Sequence, residues 1–229
     1  MKPATIKELN LPRTQRPKKN TAVTDHEVPT QIKNPELVRE RRRHIIDSTV
    51  KLFIEHGYHK TTTRMIAKAA QFSIGSLYEY VSSKEDLLYL VCKTIHEEVQ
   101  DAVEDAVSGT TTEQLTEMIR RYFEVCDKMS DHILLMYQVT QFLPAKWKKR
   151  VLVNELNITD IFVQSLARLS GQDNFPTLDP ETRDLIGHDI SVLGQMWAFR
   201  RWHFSKQYTL EQYTALQIDF ILGQIFQKK

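Results

Sequence analysis

Residues 62–88 read TTRMIAKAAQFSIGSLYEYVSSKEDLL and carry the most specific structural signal of the chain. Thr62 is a preferred helix N-cap residue, and apolar residues follow it at helical spacing. A turn at Gln71-Phe72 comes before Ser73, a second N-cap residue that opens another short helix. Two short helices joined by a tight turn make a helix-turn-helix unit, so the sequence predicts that motif here.

The second short helix, roughly 73–81, has the size that a DNA major groove accepts. Its glycine lets the backbone approach a duplex closely, and its hydroxyl groups can bond base edges or phosphates. The start of the preceding helix and a lysine after the unit are expected to contact phosphates. In the second helix, residues 73–76 and 78–80 are expected to be exposed. The predicted DNA-binding residues are Thr62, Thr63, Arg64, Ser73, Ile74, Gly75, Ser76, Tyr78, Tyr80 and Lys84.

The run that begins at Phe53, FIEHGYHKTTTRMIA, and continues through Leu88 resembles the DNA-binding domain of the TetR family of bacterial transcriptional regulators. The resemblance covers about residues 39–99 without a gap. Gln71 stands where the family usually has a turn glycine, and Val81 stands where phenylalanine is common. A left-handed glutamine costs on the order of 1 kcal/mol relative to glycine, which packing can offset. The resemblance implies an N-terminal DNA reader followed by a helical ligand-binding and dimerisation domain.

The composition of the whole chain is also typical of an all-α protein. The chain has 229 residues, of which 41% are hydrophobic and 26% charged. Its 7 glycines are too few for Gly-rich phosphate loops or turn-dense β folds. Helical periodicity continues from Pro35 onward. We therefore predict a disordered basic extension over 1–34, a helix-turn-helix DNA-binding domain with its connecting helix over 35–107, and a ligand-binding and dimerisation domain over 108–229.

Several protein classes are excluded by what the sequence lacks. Cys92 and Cys126 are too few for a disulfide framework or a zinc site and are expected to be buried, reduced thiols. The histidines have no metal spacing, and no HExxH, Gly-rich phosphate loop or nucleophile elbow occurs. We therefore expect no enzyme activity, cofactor or metal. Because no signal peptide or run of about 20 apolar residues is present, we expect a cytoplasmic protein without membrane association.

The formal net charge of +2 is weak for a nucleic-acid binder, but it hides an uneven distribution. Basic residues gather in the N-terminal extension and in Arg39, Arg41, Arg42 and Arg43, near the expected DNA face. For the extension, a solvated tail is favoured over an arm that contacts DNA. Acidic residues gather further along, at Glu97, Glu98, Asp101, Glu104, Asp105, Glu113 and Glu117.

The last two helices, expected at 180–205 and 209–227, each carry apolar residues on two stripes. A surface helix needs only one such stripe, so these helices are expected to face both a core and a partner. We predict a homodimer through a four-helix bundle of these segments. A twofold dimer presents two recognition helices to a palindromic operator.

A small-molecule pocket needs apolar walls with a few polar groups. The candidate pocket residues are Tyr122, Phe123, Cys126, Tyr137, Gln138, Trp197, Arg200 and Arg201. In the run 196–204, interface anchoring is favoured over an arginine that meets an anionic head group. The basic cluster 146–150 can hold coenzyme A phosphates or form a solvated helix end.

These observations together predict a DNA-binding transcriptional regulator. The favoured reading is a repressor that binds double-stranded operator DNA as a dimer and is released by a small-molecule effector. Acyl-CoA or another amphipathic molecule suits the residue mix of the C-terminal domain. Activation stays open, and the alternative is a ligand-independent helical adaptor or architectural DNA-binding protein.

Overall fold

The computed structural model describes residues 28–107, 111–172 and 174–226. Over these ranges the fold is all-α, as predicted, and it contains no strand. A 3₁₀ turn over Thr140–Phe142 follows the sixth helix. The helices are α1 Pro35–His56, α2 Thr63–Ala69, α3 Ile74–Tyr80, α4 Lys84–Val107, α5 Thr112–Lys128, α6 Ser130–Val139, α7 Ala145–Leu169, α8 Pro180–Phe204 and α9 Leu210–Phe226.

The predicted helix-turn-helix is confirmed, and side-chain caps define its limits. Thr62 accepts a hydrogen bond from the Met65 N–H and starts α2, and Ser73 accepts from the Ser76 N–H and starts α3. Gln71, in the turn, has a φ of 59°, which is the left-handed conformation expected for it. The Phe72 N–H reaches back to the Ala67 carbonyl, which closes the end of α2.

The start of α4 differs from the prediction by one residue. The sequence predicts a capping box from Ser82 to Glu85, but the Asp86 N–H donates to Ser83 Oγ at 3.0 Å. Asp86 in turn accepts from the Ser82 N–H at 3.1 Å through Oδ2. Ser83 therefore caps α4 through its hydroxyl, and the buried Asp86 side chain bonds the residue before that cap, while Glu85 accepts from the Tyr58 hydroxyl instead.

In the second domain, α5, α7 and α8 pack closely around a core of aromatic and aliphatic side chains. Two glycines of α8 permit this approach. A Cβ on Gly187 would lie 2.5 Å from Val163, and one on Gly194 would lie 2.5 Å from the Tyr122 ring. Side chains also cap the last two helices: Asp179 caps α8 ahead of Pro180, and Thr209 and Gln212 form a capping box at α9.

The predicted disordered extension is wrong over residues 28–34. Val28 is only 1% exposed, and its carbonyl accepts from the Arg42 guanidinium at 2.7 Å. The Gln31 N–H and the Thr30 hydroxyl both donate to the Glu79 carbonyl, at the end of α3. We call residues 28–32 the N-terminal strap. Residues 1–27, like 108–110 at the expected domain boundary, lie outside the described ranges.

Both cysteines are buried and unpaired with each other, as the sequence predicts. Burial raises the pKa of the Cys92 thiol to about 12 and that of Cys126 to about 12. Both thiols are therefore protonated at neutral pH, where a thiol is a poor nucleophile. Of the helices described, none has the length and apolar character needed to cross a bilayer.

Candidate nucleic-acid interface and cavity

Most of the predicted DNA-binding residues of α2 and α3 are exposed or half-exposed. Ile74 and Tyr78 are 38% and 44% exposed, unusually high for apolar and aromatic side chains. The Tyr78 hydroxyl lies 3.1 Å from Thr63 Oγ1, and this hydrogen bond links the two helices at the surface. We call the exposed and half-exposed residues of the motif the helix-turn-helix surface, and its predicted DNA-binding members are Thr62, Thr63, Arg64, Ser73, Ile74, Gly75, Ser76 and Tyr78.

Ser73 and Ser76 are tied to each other at the start of α3. Ser73 Oγ accepts from the Ser76 N–H and donates to Ser76 Oγ at 2.9 Å. The adjacent Gly75 is exposed, and a Cβ built on it would meet only Ser73 Oγ, at 3.7 Å. The fold therefore leaves open space at Gly75, where the α3 backbone can come close to a duplex.

The expected exposure of Tyr80 is wrong. This side chain is only 6% exposed, and its ring packs edge-on against Phe72, with 5.8 Å between centroids. The Tyr80 carbonyl accepts from the Arg42 guanidinium at 2.8 Å. The position follows a helical period of three from Leu77, which is also buried, so Tyr80 belongs to the core of the motif.

Lys84 is close to the helix-turn-helix, but its ammonium group is already engaged. Its Nζ donates to the Tyr58 carbonyl at 2.9 Å and to the Thr61 carbonyl at 3.1 Å. It also lies 4.1 Å from the centre of the Tyr58 ring. Lys84 thus holds the loop that leads into Thr62, and it positions the start of α2.

The basic run of α1 is divided by the fold. Arg42 is buried and binds the strap and the end of α3, and Arg43 pairs with Glu98 at 2.7 Å. Arg39 and Arg41 are exposed, and the Arg41 guanidinium lies 6.0 Å over the Phe72 ring. Sequence charge alone could not separate these roles, because they depend on which side of α1 faces α3 and α4.

A cavity of about 280 Å³ opens between α6, α7 and α8 in the second domain. Its walls are mostly apolar, with one carboxylate, Glu155. Gln195 Nε2 donates to Glu155 Oε2 at 3.0 Å, and the Tyr137 hydroxyl donates to Gln195 Oε1 at 2.6 Å. The lining residues are Met136, Tyr137, Thr140, Val151, Leu152, Glu155, Leu156, Thr159, His188, Ser191, Val192 and Gln195.

Burial gives this cavity unusual acid–base properties. It raises the pKa of the Glu155 carboxyl, with the Gln195 hydrogen bond acting in the opposite direction. Burial also raises the pKa of Tyr137 to about 12, and the nearby Glu155 charge adds to that shift. The Tyr137 hydroxyl is therefore a donor throughout the physiological pH range.

Of the residues predicted to line a pocket, Tyr137 lies on this cavity and the others lie elsewhere. Tyr122, Phe123 and Cys126 are core residues, and the Tyr122 hydroxyl donates to the Ser191 carbonyl at 3.0 Å. Trp197 donates to Asp127 at 2.7 Å, and Arg201 lies 3.4 Å from the same carboxylate. Gln138 and Arg200 are exposed.

Sequence reasoning missed Glu155, although a signal for it is present. Val151, Ile158 and Phe162 are buried at helical spacing on α7, and Glu155 falls on the same stripe. An acidic residue on the apolar stripe of a helix needs a partner or a function, because burying its charge is costly. The prediction followed aromatic residues instead, and these fill the core.

The two domains meet through aromatic contacts. The Phe142 ring, in the 3₁₀ turn after α6, stacks on Tyr58 with 5.5 Å between centroids and 3° between planes. Trp147, in the first turn of α7, stacks on Tyr89 of α4 at 4.2 Å. Each contact lies close in sequence to a residue that lines the cavity. Thr140 precedes Phe142, and Val151 follows Trp147 on α7.

Comparison with known proteins agrees with these features. Residues 45–90 match the profile of the family described as bacterial regulatory proteins, tetR family. The HTH-type transcriptional regulator HbdR of Aromatoleum sp. (strain CIB) is 30% identical over 189 residues, which cover 81% of each chain. The fatty acid metabolism regulator protein of Bacillus subtilis (strain 168) is 29% identical over 169 residues, 66% of this chain and 86% of the relative.

The fold also matches solved structures. The crystal structure of AibR in complex with isovaleryl coenzyme A and operator DNA superposes with a TM-score of 0.64 at 17% identity. The match covers 79% of this chain and 97% of AibR. These similarities agree with the confirmed helix-turn-helix and with the helical second domain. The chain is a regulator rather than an enzyme, and it belongs to the TetR family of bacterial transcriptional regulators.

Proposed function

We propose that the protein is a repressor that binds a palindromic operator as a homodimer and is released by an acyl-CoA. The observation that carries this proposal is the pairing of an exposed helix-turn-helix surface with an apolar cavity in the second domain. The proposed setting is the cytoplasm, where operator DNA and coenzyme A thioesters are both present.

The DNA-binding part rests on the exposed face of α2 and α3. Thr62, Arg64 and Tyr78 are all exposed, so a cation and two hydroxyl groups can contact phosphates. Ile74, Gly75 and Ser76 occupy the first turn of α3, the part of a recognition helix that reaches base edges. We propose that these residues read the operator, and that Tyr80 and Lys84 hold the motif in shape.

The dimer rests on apolar side chains of α8 and α9 that the single chain leaves in solvent. Leu185 and Val192 of α8 are 63% and 55% exposed, and Leu216 and Phe220 of α9 are 54% and 55% exposed. Large apolar patches on a soluble chain mark interaction sites. A second copy that supplies the same two helices would bury all four side chains in a four-helix bundle.

The effector class rests on where α7 begins. Lys146, Lys148 and Lys149 lie among its first five residues, all exposed, and Val151 and Leu152, which follow closely, line the cavity. A thioester with its acyl group in the cavity can therefore place its phosphates beside these ammonium groups. AibR has been crystallised with isovaleryl coenzyme A, and the Bacillus subtilis relative is a fatty acid metabolism regulator, which makes this class of ligand the first to test.

Release would follow from movement of α6 and α7 against the first domain. Thr140 of the cavity precedes Phe142, whose ring stacks on Tyr58, and Tyr58 is held by Lys84. An effector that binds one spacing of the two recognition helices better than the other shifts the dimer toward that spacing. Operator affinity then falls, because both half-sites cannot be met at once.

One experiment tests the DNA and effector parts together. DNase footprinting on the region upstream of the gene, followed by titration with hexanoyl-CoA, should give a palindromic footprint that disappears as thioester is added. A footprint that no acyl-CoA changes would overturn the effector class. Binding that is equal on all DNA sequences would favour the architectural alternative.

The dimer has its own test. The Phe220→Glu substitution places a charge in the proposed interface, so sedimentation should show a shift toward monomer and a loss of palindrome binding. Ile54→Glu is the matched control, since Ile54 is 52% exposed on the first domain and away from α8 and α9. A wild-type chain that sediments as a monomer at micromolar concentration would overturn the proposal.

A further inference from the structure

The described lining of the cavity contains a single carboxylate, and this restricts which ligands can bind there. Among the described residues that line it, Glu155 is the one carboxylate, and there is no lysine or arginine. The exposed lysines at the start of α7 lie outside the lining set. His188, which is exposed, also lines the cavity. A ligand group beside Glu155 therefore meets a carboxylate with no lysine or arginine in the described lining.

The hydrogen bonds around Glu155 have a defined direction. The Tyr137 hydroxyl donates to Gln195 Oε1, so the amide oxygen of Gln195 is already an acceptor. Its Nε2 must then face Glu155, to which it donates at 3.0 Å. A carboxylate accepts about four hydrogen bonds in total, so Glu155 has capacity left for donors from a ligand.

The hydroxyl groups beside Glu155 donate into the protein. Thr159 Oγ1 donates to the Glu155 backbone carbonyl at 3.3 Å, and Thr140 Oγ1 donates to the Met136 carbonyl. Tyr137 donates to Gln195. These three hydroxyl donors are therefore occupied. Ser191 and His188 also line the cavity and carry donor groups, but Glu155 is the one carboxylate of the described lining and accepts only. A ligand group that faces Glu155 is therefore complementary when it brings a donor.

We propose that the effector carries a hydroxyl group on its acyl portion, that this group donates to Glu155, and that the protein thereby selects hydroxyacyl over unsubstituted acyl thioesters. This inference rests on the proposed function for its ligand class. A plain alkyl chain displaces water from Glu155 without replacing its hydrogen bonds, and an acyl group that ends in a carboxylate is repelled. Burial already raises the pKa of Glu155, because it disfavours the charged carboxylate. Either ligand would add to that desolvation, so binding it is less favourable.

The size of the cavity agrees with a modest acyl group. About 280 Å³ is roughly twice the cavity volume of about 150 Å³ that admits benzene. A six-carbon chain is therefore a suitable probe. The four probes are hexanoyl-CoA, 3-hydroxyhexanoyl-CoA, 6-hydroxyhexanoyl-CoA and adipoyl-CoA, which differ only in the group that can meet Glu155.

Isothermal titration of the full-length chain with these probes tests the proposal. At least one hydroxylated thioester should bind about tenfold or more tightly than hexanoyl-CoA, the effect of one hydrogen bond to a charged group. Adipoyl-CoA should bind most weakly. Equal affinity for hexanoyl-CoA and both hydroxylated probes would overturn the inference while leaving the proposed acyl-CoA effector intact.

Variants of Glu155 assign the effect to that side chain. Glu155→Met should abolish the preference for a hydroxyl, and Glu155→Gln should relieve the rejection of adipoyl-CoA because it removes the charge. Asp160→Asn is the matched control, since Asp160 is an exposed carboxylate on the same helix. A hydroxyl preference that persists in Glu155→Met would overturn the assignment.

A second experiment tests the donor-selective site independently of the proposed acyl-CoA effector. If none of the thioesters binds the wild-type chain, the proposed effector class fails, and n-hexanol and hexanoate then probe the cavity by ligand-observed NMR. Binding of n-hexanol that Glu155→Met abolishes would support the donor-selective site. No binding of n-hexanol, or equal binding of hexanoate, would overturn it.

Discussion

Trp147 Nε1, in the first turn of α7, donates to Asp86 Oδ1 of α4 at 3.0 Å, in a buried position. The same Asp86 side chain accepts from the Ser82 N–H, just after the helix-turn-helix. One carboxylate therefore joins the end of the DNA-binding motif to the helix that lines the cavity. A shift of α7 on ligand binding must either move Asp86 or break this bond.

Substitution of Trp147 by phenylalanine tests that connection. Phenylalanine keeps a ring against Tyr89 but has no N–H, so Asp86 loses one donor. We expect the free energy of unfolding to fall by about 2 kcal/mol, as for a hydrogen bond to a charged group. We also expect the effector to change operator affinity less than in the wild type, as measured by fluorescence anisotropy with and without ligand.

Trp202→Phe is the control for that measurement. Trp202 is 66% exposed, so its replacement should change the free energy of unfolding by no more than about 0.5 kcal/mol. If Trp147→Phe behaves like Trp202→Phe in both stability and effector response, Asp86 does not couple the two domains.

Gly75→Ala should separate the fold from DNA recognition. The new Cβ would meet only Ser73 Oγ at 3.7 Å, and alanine is a better helix former than glycine, so we expect a gain of about 0.5–1 kcal/mol in unfolding free energy. The same methyl group would stand between α3 and the groove. Operator affinity should therefore fall about tenfold or more. Fluorescence anisotropy measures the affinity, and denaturant melts of the same sample measure the unfolding free energy. A more stable variant with unchanged operator affinity would place Gly75 outside the DNA interface.

Local chemistry explains why so much of the fold could be predicted. Caps such as Thr62, Ser73 and Asp179 accept from backbone N–H groups three residues away. The start of each helix can therefore be predicted from a few neighbouring residues. The left-handed turn at Gln71 follows from its position after a short helix in the same way. At α4 the spacing of Ser82 and Glu85 predicts a capping box, but the cap is the Ser83 hydroxyl, because Asp86 is buried there and Glu85 bonds Tyr58 instead.

The missed features depend on contacts between distant segments. Arg42 bonds the carbonyls of Val28 and Tyr80, 14 and 38 residues away, so no local pattern marks the strap as ordered. The cavity has the same character. Its walls come from three helices, and aromatic residues such as Phe123 that suit a pocket by composition lie in the core. Only Glu155, an acid on an apolar stripe, could have indicated the cavity from the sequence.

Two truncations should distinguish the strap from the residues before it. Removal of 1–27 leaves the bonds from the strap to Arg42 and to the Glu79 carbonyl in place, so we expect the melting temperature to change little. Removal of 1–32 takes away the acceptors that the strap offers Arg42 and the donors to the Glu79 carbonyl. It should cost about 1–3 kcal/mol in unfolding free energy, because water replaces these bonds only in part.

The shorter truncation also tests the favoured reading of the basic extension. If residues 1–27 do not contact DNA, the slope of log affinity against log salt is the same with and without them. A shallower slope after removal would show that the extension neutralises phosphates.

Stability should fall as the pH falls below about 6.5. Burial lowers the pKa of His96, whose Nδ1 is buried without a hydrogen-bond partner among the described residues, and it also lowers the pKa of His132. Below an ordinary histidine pKa of about 6.5 the unfolded chain therefore binds more protons than the folded chain. Each group can contribute a slope of up to about 1.4 kcal/mol per pH unit until its own folded-state pKa is reached. Denaturant melts at several pH values should show a smaller slope for His96→Gln, and an unchanged slope would mean that His96 is protonated in the folded state.

The turn between α2 and α3 gives a last prediction. Gln71 has a φ of 59°, its N–H donates to the Lys68 carbonyl, and the next N–H donates to Ala67, so the position requires a left-handed residue. Glycine adopts this conformation without strain, whereas alanine keeps the strain and loses only the side chain of glutamine. We expect Gln71→Gly to exceed Gln71→Ala by about 1 kcal/mol in unfolding free energy, measured by denaturant melts. The difference should be smaller than the full strain, because glycine also makes the unfolded chain more flexible. Equal stability of the two variants would show that the backbone relaxes away from the left-handed conformation when glutamine is removed.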